Sequence, residues 1–211
     1  LANKNIIETT KGTYSSDIVF DSSLSKKDLK NIKLFQHFKG IEIKTSKPVF
    51  TKDEVTLMDI RDKKDMFNFV YLLPFSKNRA LVESTYFSSE ILDNETYLED
   101  IKEYIFEKFK ITDFDCKYEE FGIIPMGKII HNDLKNVFKI GIAGNWNRLS
   151  TGYSLQNAFV HSKQIVDQLL DNKTPKIEEK YLLNFLDHVF CNFVLTQPNK
   201  VENFFRNFFL K

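Results

Sequence analysis

Four short segments with the two-residue periodicity of β-strands dominate the first half of the chain. They are rich in β-branched and aromatic residues and cover positions 37–43, 55–61, 67–75 and 80–87. The last two are separated by residues 76–79, a polar connection short enough for a hairpin. Because strands joined by such a short connection pair antiparallel, the pattern predicts an antiparallel hairpin of these two strands.

Helical periodicity follows these strands. Asp93 or Asn94 can cap a helix that runs to about position 110 and carries one apolar stripe. Two further helical patterns cover positions 181–190 and 198–210. Another amphipathic helix is predicted after position 152, and its inward-facing residues are expected to be Leu155, Phe159, Val166 and Leu169.

Three more segments are typical of strands. Residues 17–21 form a short apolar run bounded by serines. Residues 115–124 predict a strand that Pro125 stops. Residues 138–143 are apolar apart from Lys139, which is typical of a strand buried on both faces.

The charge balance and cysteine usage exclude several classes of function. Thirty basic residues against 29 acidic ones give a formal charge of +1, without a basic patch that could track a nucleic-acid backbone. Cys116 and Cys191 have no metal-ligand spacing and favour a reducing, intracellular compartment. The longest uncharged stretches, 66–76 and 188–199, are shorter than the roughly 18 apolar residues of a membrane span. We therefore expect no nucleic-acid partner, no metal site and no spanning helix.

Three segments together resemble lycopene cyclases. They are FNFVYLLPFSKNRALVESTYFS at 67–88, EFGIIPMG at 120–127 and GIAGNWNRLSTGYS at 141–154. Their order and spacing also fit, and the earlier QHFKGIEI and VTLMDIR segments look like the same family. The resemblance covers most of the chain, from about Asp17 to the predicted helix that ends near Leu170.

The fold that the resemblance implies is α+β. It combines an antiparallel substrate-domain sheet with the C-terminal part of a Rossmann-like FAD-binding domain and C-terminal helices. Positions 1–35 are expected to end the first portion of the FAD domain, and 36–127 to form the sheet domain with one helix. Positions 128–172 would supply the last strand and helix of the FAD domain, and 173–211 the C-terminal helices.

The glycine content bears on the flavin site. The chain has 7 glycines and no G-x-G-x-x-G, the motif that seats a dinucleotide pyrophosphate. It begins with Leu1 rather than Met, and no signal peptide pattern follows. We therefore expect the sequence to be a C-terminal fragment of the family protein.

Glu83 is the candidate proton donor. The two-residue alternation places it on one strand face with Leu81, Thr85 and Phe87, where a carboxyl group is costly to ionise. In lycopene cyclases a glutamate in the matching motif is held to be essential for cyclisation, and the resemblance implies that role for Glu83. Ser84 departs from the family pattern, because many relatives carry a second acid there.

The charged neighbours of Glu83 leave other interpretations open. Glu83 can instead form a structural ion pair with Arg61 or Arg79. Asp59 and Arg61 share a strand face, either as an ion pair or as the polar end of a cavity. Glu120 resembles a family glutamate just before the I-P-M-G run, and is expected either to support the acid or to be a solvated carboxylate at a strand end.

The segment 144–152 joins a predicted strand to a helix. The first N–H groups of that helix, near positions 150–152, are expected to be unpaired and to favour an anionic or carbonyl-bearing ligand. The alternative is an ordinary helix start capped by Ser150 or Thr151. In the family this loop lies against the flavin, which implies cofactor contacts for Gly144, Ser150, Thr151, Gly152 and Tyr153. Leu149 stands where many relatives have Pro.

The last predicted helix has an apolar stripe that has to be buried somewhere. The stripe consists of Val201, Phe204, Phe205, Phe208 and Phe209. Core packing is the default, and a membrane-facing role is the alternative, because the implied substrate is a long hydrocarbon dissolved in membrane. The expected location is cytoplasmic and peripheral to the membrane.

The activity that the resemblance implies is a non-redox, flavin-dependent cyclisation of lycopene or a related acyclic carotenoid. A terminal double bond is protonated, the carbocation closes into a six-membered ionone ring, and loss of a proton completes the isomerisation. Reduced FAD stabilises the cationic transition state, and NAD(P)H serves to reduce the flavin. The candidate residues for holding the cation are Phe67, Phe69, Tyr71 and Phe87.

Two other classes of function compete with this one. An FAD-dependent monooxygenase or reductase of another lipid would turn over NAD(P)H in step with product. A non-catalytic module would bind apolar ligands without flavin.

Overall fold

The computed structural model describes residues 5–63, 66–131, 134–178 and 181–209. Within these residues the fold is mixed α and β, with an antiparallel sheet and four α-helices. The chain divides into two compact units. The parallel-pair unit comprises Leu1–Ile32 and Pro125–Val189, and the sheet unit comprises Lys33–Ile124 and Phe190–Lys211. The four-part domain division expected from the resemblance stays a prediction.

The elements follow the predicted order. The strands are β1 (Asn5–Thr9), β2 (Gly12–Ser16), β3 (Val19–Asp21), β4 (Phe35–Lys44), β5 (Thr56–Lys63), β6 (Met66–Ser76), β7 (Arg79–Ser88), β8 (Asp115–Pro125) and β9 (Val137–Lys139). The helices are α1 (Asn94–Phe109), α2 (Leu155–Leu170), α3 (Tyr181–Thr196) and α4 (Val201–Phe209). A 3₁₀ turn at Pro198–Lys200 precedes α4. The β1–β2 hairpin is absent from the sequence-based prediction, and α3 continues past its predicted end at position 190.

The sheet unit is built on five strands in the order β5-β6-β7-β4-β8. β6 and β7 form the predicted hairpin and pair antiparallel, with Phe69 opposite Thr85. β4 pairs with β7 along its whole length, from Phe35 opposite Ser88 to Lys44 opposite Arg79. Directly opposite residues of antiparallel strands point to the same side, so this register fixes which side chains share a face.

Helix α1 packs on one face of this sheet. Asp93 is its N-cap, as predicted, and the Asp93 carboxylate accepts a hydrogen bond from the Thr96 backbone N–H at 3.0 Å. Helix and strand residues together form a buried core of Ile41, Ile43, Phe50, Val70, Leu72, Ala80, Val82, Ile101, Tyr104 and Ile105. Because Val82 faces α1, the alternation of the strand turns Glu83 to the opposite face.

The parallel-pair unit contains two paired strands. β3 and β9 pair in parallel, with Val19 opposite Val137 and Asp21 opposite Lys139. The predicted strand at 138–143 is therefore shorter than expected, and β9 is only partly buried. The prediction of a strand buried on both faces is wrong, because Gly141 adopts a left-handed conformation at φ +59° and a turn begins there.

Helix α2 exposes most of the stripe that was expected to face inward. Leu155 and Phe159 are each 73% exposed and Val166 is 52% exposed, so the predicted orientation is wrong for these three residues. Leu169 is partly buried. His161 and Ile165 occupy the buried face instead. Both sides of this helix carry apolar residues, and periodicity alone does not tell which side is covered.

Helix α4 belongs to the sheet unit and divides its apolar stripe between two environments. Val201 is fully buried, and the Phe205 ring stacks on Phe67 of β6 with a centroid distance of 5.7 Å. Phe204 and Phe208 remain 41% and 68% exposed. Part of the stripe therefore packs in the core as expected. Among the helices that the structure describes, none is long and apolar enough to cross a membrane.

Candidate functional site

Glu83 lies in the middle of the sheet, on the face that α1 leaves open. It is directly opposite Tyr71 of β6 on one side and Gly40 of β4 on the other. Its side chain is partly buried. The strand pairing that the alternating sequence predicts thus places one carboxyl group among the central strands of the sheet.

The polar contact of Glu83 is with Thr85, two residues further along β7. The Thr85 hydroxyl donates to Oε1 of Glu83 at 2.7 Å. The two arginines considered as ion-pair partners bind elsewhere, Arg79 to Glu42 at 2.6 Å and Arg61 to Glu107. The ion-pair interpretation of Glu83 is therefore wrong for both arginines.

The environment of Glu83 favours its neutral form. The pKa of the Glu83 carboxyl is raised to about 7, and burial is the largest cause; the Thr85 hydrogen bond lowers this pKa and the negative charge of Glu120 raises it, both to a smaller extent. A carboxyl group with a pKa near 7 is about half protonated at neutral pH. Glu83 can therefore hold a transferable proton under ordinary conditions.

Glu120 reaches this site because Gly40 has no side chain. A Cβ atom at position 40 would lie 2.9 Å from Oε1 and 3.0 Å from Cγ of Glu120. Glu120 lies on β8, next to β4 in the sheet. Gly40 is not among the predicted site residues, and a glycine inside a strand is the sequence signal that points to it.

Four aromatic residues line the same face of the sheet. Ring centroids are 5.4 Å apart for Phe67 and Phe69, 5.2 Å for Phe69 and Tyr71, and 5.6 Å for Phe67 and Phe87. Phe205 of α4 stacks on Phe67. The structure thus brings the four predicted substrate residues together on the face that carries Glu83, and their contact with substrate stays a prediction.

The opposite face holds Ser84, the residue at the position of the second family acid. Its hydroxyl donates to Asp100 of α1 at 3.2 Å, and the Tyr86 hydroxyl donates to the same carboxylate at 2.5 Å. Lys63 forms an ion pair with Asp100 at 2.7 Å. Ser84 therefore ties β7 to α1 and has no place beside the Glu83 carboxyl.

Asp59 and Arg61 also contact α1 rather than the Glu83 face. Asp59 pairs with Lys108 at 2.8 Å and accepts a hydrogen bond from the Tyr104 hydroxyl at 3.0 Å. Arg61 binds Glu107. Both residues therefore serve the packing of α1 on the sheet, and the idea that they form the polar end of a cavity finds no support in these contacts.

The candidate flavin loop lies in the parallel-pair unit and differs from its prediction. Helix α2 begins at Leu155, so its first N–H groups lie after positions 150–152. The N–H groups of Thr151 and Gly152 donate to the Arg148 carbonyl at 3.3 and 2.8 Å. The expectation of unpaired amides is therefore wrong for Thr151 and Gly152. So is the alternative of a cap by Ser150 or Thr151, because the N-cap is Ser154.

The remaining loop residues are held by contacts inside the protein. Gly144 has no room for a side chain, because a Cβ atom there would lie 2.3 Å from the Lys139 carbonyl oxygen. Gly152 adopts a left-handed φ of +72°, and Tyr153 is 61% exposed. A cavity of about 1070 Å³ lies beside Gly144 and is also lined by Trp146, among other residues. The role of these residues in flavin contact stays a prediction.

Asp187 of α3 binds this loop and is not among the predicted site residues. It is 3% exposed and accepts hydrogen bonds from Arg148 and Ser150, both at 2.7 Å, and from the Leu149 N–H at 3.2 Å. A single acidic residue in a helix that carries no other Asp or Glu and no Lys or Arg is the sequence signal that points to it.

Comparison with known proteins identifies the family. Residues 3–208 match the family model described as lycopene cyclase protein, so the chain belongs to the lycopene cyclase family and the resemblance is confirmed. A lycopene beta-cyclase from Paracoccus sp. (strain N81106 / MBIC 01143) is 39% identical over 54 residues, which are 26% of this chain and 14% of that protein.

A solved structure is also similar. The geranylgeranyl bacteriochlorophyll reductase-like protein from Thermoplasma acidophilum aligns with a TM-score of 0.45 and 15% sequence identity. The alignment covers 66% of this chain and 35% of that one. The chain thus matches only part of the length of each relative.

Proposed function

We propose that this chain carries the acid–base centre of a carotenoid cyclase, with Glu83 as the proton donor. The observation that supports it is the pKa of the Glu83 carboxyl, raised to about 7 on a sheet face lined with aromatic rings. General acids work best when their pKa lies near the working pH. Glu83 combines an available proton with the apolar surroundings that an alkene substrate requires.

The proposed reaction starts with transfer of the Glu83 proton to a terminal double bond of lycopene or a related acyclic carotenoid. The new C–H bond leaves a carbocation, which a nearby double bond of the same molecule attacks to close a six-membered ring. Loss of a ring proton to a base forms the ionone double bond. One proton is gained and one is lost, so the product is an isomer and no electrons are transferred.

The other residues of this face have supporting roles in the proposal. Aromatic ring faces carry partial negative charge and attract a cation, so Phe67, Phe69, Tyr71 and Phe87 are proposed to line the path of the substrate end. Glu120 favours the protonated form of Glu83, because its charge raises the pKa of that carboxyl.

Flavin belongs to the proposal for the whole protein. Reduced FAD, with NAD(P)H as its reductant, would supply electrostatic stabilisation of positive charge. The loop described here does not by itself fit a dinucleotide pyrophosphate, since the Thr151 and Gly152 amides bond within the turn and the Ser150 hydroxyl bonds to Asp187. The proton transfer from Glu83 is therefore derived from the sheet face alone.

We also propose a cytoplasmic protein that touches the membrane surface. Phe204 and Phe208 of α4 stack on each other with a centroid distance of 6.1 Å and are both exposed. Exposed aromatic rings on an amphipathic helix partition into the boundary between headgroups and acyl chains. Such contact would bring the enzyme to a hydrocarbon dissolved in the membrane.

The test of the proton donor is Glu83→Gln in the full-length enzyme, produced in cells that make lycopene. The substitution keeps the shape of the side chain and removes the transferable proton, so lycopene is expected to accumulate. Glu42→Gln is the matched control, because Glu42 is a strand glutamate that already pairs with Arg79. Ring formation in the control is expected to stay near that of the unmodified enzyme.

The stability of the same variant separates catalysis from structure. Because the pKa of Glu83 is raised from 4.5 to about 7 in the folded protein, its charged form is disfavoured, and stability falls as the pH rises from about 4.5 through 7 and stays lowered above that. Glu83→Gln is therefore expected to be as stable as the unmodified protein at pH 8, or more so. Near-normal ring formation per folded molecule would remove Glu83 from the mechanism.

A further inference from the structure

Thr85 is the polar neighbour of Glu83 on the same strand face. The two residues are two positions apart on β7, so their side chains project to the same side of the sheet. Thr85 is fully buried, and its hydroxyl donates to Oε1 of Glu83 at 2.7 Å. A buried hydroxyl is costly without a hydrogen-bond partner, so the contact is part of the folded face.

The backbone around Thr85 is fixed from the other side of the sheet. Its carbonyl oxygen accepts a hydrogen bond from the Asn68 amide at 3.0 Å. The residues on either side, Ser84 and Tyr86, both donate to Asp100 of α1. Threonine is also stiff at χ1, because it is branched at Cβ. These contacts present the Thr85 hydroxyl in one orientation.

We propose that Thr85 is a positioning residue for the proton donor. Its hydroxyl donates a hydrogen bond to Oε1 of Glu83, so that Oε1 is the accepting oxygen and the transferable proton lies on Oε2. This inference rests on the proposed function of Glu83. When the Oε2–H bond breaks and the new C–H bond forms, the carboxyl group gains a negative charge that Oε1 shares. A hydrogen bond to a charged acceptor is stronger than one to a neutral acceptor, so the Thr85 contact strengthens as the proton leaves.

Other titratable groups lie on the Glu83 face, and their effects on the pKa of Glu83 can be distinguished from that of the Thr85 hydrogen bond. By register and strand alternation they are Tyr71 on β6, Asp62 on β5, Glu42 and Lys44 on β4, Arg79 on β7, and Tyr118 and Glu120 on β8. Glu42 pairs with Arg79. Glu120 raises the pKa of Glu83, whereas the Thr85 hydrogen bond lowers it. Loss of the Thr85 hydroxyl and loss of the Glu120 charge therefore move this pKa in opposite directions.

The experiment compares Thr85→Val, which keeps the shape and removes the hydroxyl, with Thr85→Ser, which keeps the hydroxyl. The pKa of Glu83 is measured in the 211-residue chain by ¹³C NMR titration of glutamate carboxyls, with Glu83→Gln assigning the signal. Thr85→Val is expected to raise this pKa, and Thr85→Ser to leave it near its original value.

Turnover in the full-length enzyme provides the second measurement. Thr85→Val is expected to slow ring formation about tenfold, although a larger fraction of its Glu83 is protonated at neutral pH. Thr85→Ser is expected to restore most of the rate. A residue needed only for folding would lower stability in Thr85→Val without moving the pKa of Glu83. If Thr85→Val does not fold, Thr85→Ala replaces it in the same comparison with Thr85→Ser.

Each outcome decides the proposal. An unchanged pKa of Glu83 in the valine variant, or an unchanged rate, overturns the positioning role while leaving Glu83 as the donor. Full activity in Glu83→Gln overturns the proposed function, and the role of Thr85 with it, whatever the titration shows.

Discussion

Gly40 lies directly opposite Glu83 on the neighbouring strand, and the space that a side chain at position 40 would fill is occupied by the carboxyl group of Glu120. A single missing side chain thus lets two carboxyl groups from β7 and β8 approach each other across β4. Two like charges at short range disfavour each other, so this arrangement helps to keep one of the pair protonated.

Removal of the Glu120 charge is expected to lower the pKa of Glu83, because that charge raises it in the folded protein. Glu120→Gln should therefore shift the ¹³C titration of Glu83 to lower pH. The rate of ring formation should also begin to fall at a lower pH than in the unmodified enzyme, because Glu83 loses its proton earlier. Glu119→Gln is the control, since Glu119 is 55% exposed and pairs with Lys39 instead. Equal titration curves for the two variants would contradict a coupling between Glu120 and Glu83.

Gly40→Ala is expected to destabilise the chain by about 1 kcal/mol, since the new Cβ would lie too close to the Glu120 carboxyl. In a Glu120→Ala background the same substitution should be neutral or slightly stabilising, because glycine costs conformational entropy in the unfolded chain. Urea unfolding of the four proteins of this double-mutant cycle gives the coupling energy. A coupling energy of zero would show that Gly40 does not make room for Glu120.

The sheet and its faces were largely predictable from the sequence. Strand alternation placed Glu83 and Phe87 on one face, and the register of the β6–β7 hairpin joins them to Phe67 and Phe69 as expected. A short polar connection and a two-residue period are local signals, so they can be recognised without knowledge of the fold.

The parts that failed depend on contacts between distant segments. The sequence pattern predicts a helix start at 150–152, whereas this loop is held by hydrogen bonds to the Arg148 carbonyl and to Asp187 of α3. The apolar stripe predicts that Leu155 and Phe159 face inward, whereas the buried face of α2 is the one with His161. Periodicity identifies an apolar stripe but not the element that covers it.

Acid pH is expected to destabilise the sheet unit through His37. This residue is fully buried, with Nδ1 2.5 Å from the Tyr97 hydroxyl and Nε2 2.8 Å from the Ser88 hydroxyl. The Ser88 hydroxyl donates to the Glu90 carbonyl, so Nε2 donates to Ser88 and Nδ1 accepts from Tyr97. Both ring nitrogens are thus satisfied in the neutral imidazole.

Burial lowers the pKa of His37 from 6.5 to about 4, so the unfolded chain binds this proton more readily than the folded one. The neutral His37 imidazole therefore makes its full contribution to the free energy of unfolding above pH 6.5. This contribution is lost as the pH falls to 4, which lowers the free energy of unfolding by roughly 3 kcal/mol. Urea unfolding between pH 7 and 4 measures it. His37→Gln should flatten this pH dependence, whereas His188→Gln, at an exposed position, should leave it unchanged.

The 211-residue chain is expected to bind FAD weakly or not at all. It contains no G-x-G-x-x-G motif, and the Thr151 and Gly152 amides of the candidate loop are already bonded to the Arg148 carbonyl. Desalting of the purified chain after incubation with FAD, followed by the flavin absorbance spectrum, measures the retained cofactor. Stoichiometric retention would show that the loop and its surroundings suffice for binding.

The conformation of the loop at 144–152, beside the 1070 Å³ cavity, is expected to depend on the buried carboxylate of Asp187. The Asp187 carboxylate takes three donors, from Arg148, Leu149 and Ser150. Asp187→Asn replaces one accepting oxygen by an amide that can only donate and removes the charge facing Arg148. The free energy of unfolding of the parallel-pair unit should fall by about 2 kcal/mol, because the buried Asp187 loses its charge and one hydrogen-bond acceptor while its partner Arg148 is 35% exposed.

Trp146 provides the measurement, because it is the one tryptophan in the sequence, lies in this loop and is only 6% exposed. In Asp187→Asn its fluorescence should shift to the red at a lower urea concentration than in the unmodified chain. Asp167→Asn is the control: its partner Lys163 is 77% exposed, and exposed pairs contribute less than about 1 kcal/mol. Coincident unfolding curves for the two variants would mean that the loop keeps its conformation without the Asp187 carboxylate. The hydrogen bonds from Arg148 and Ser150 would then not stabilise the loop.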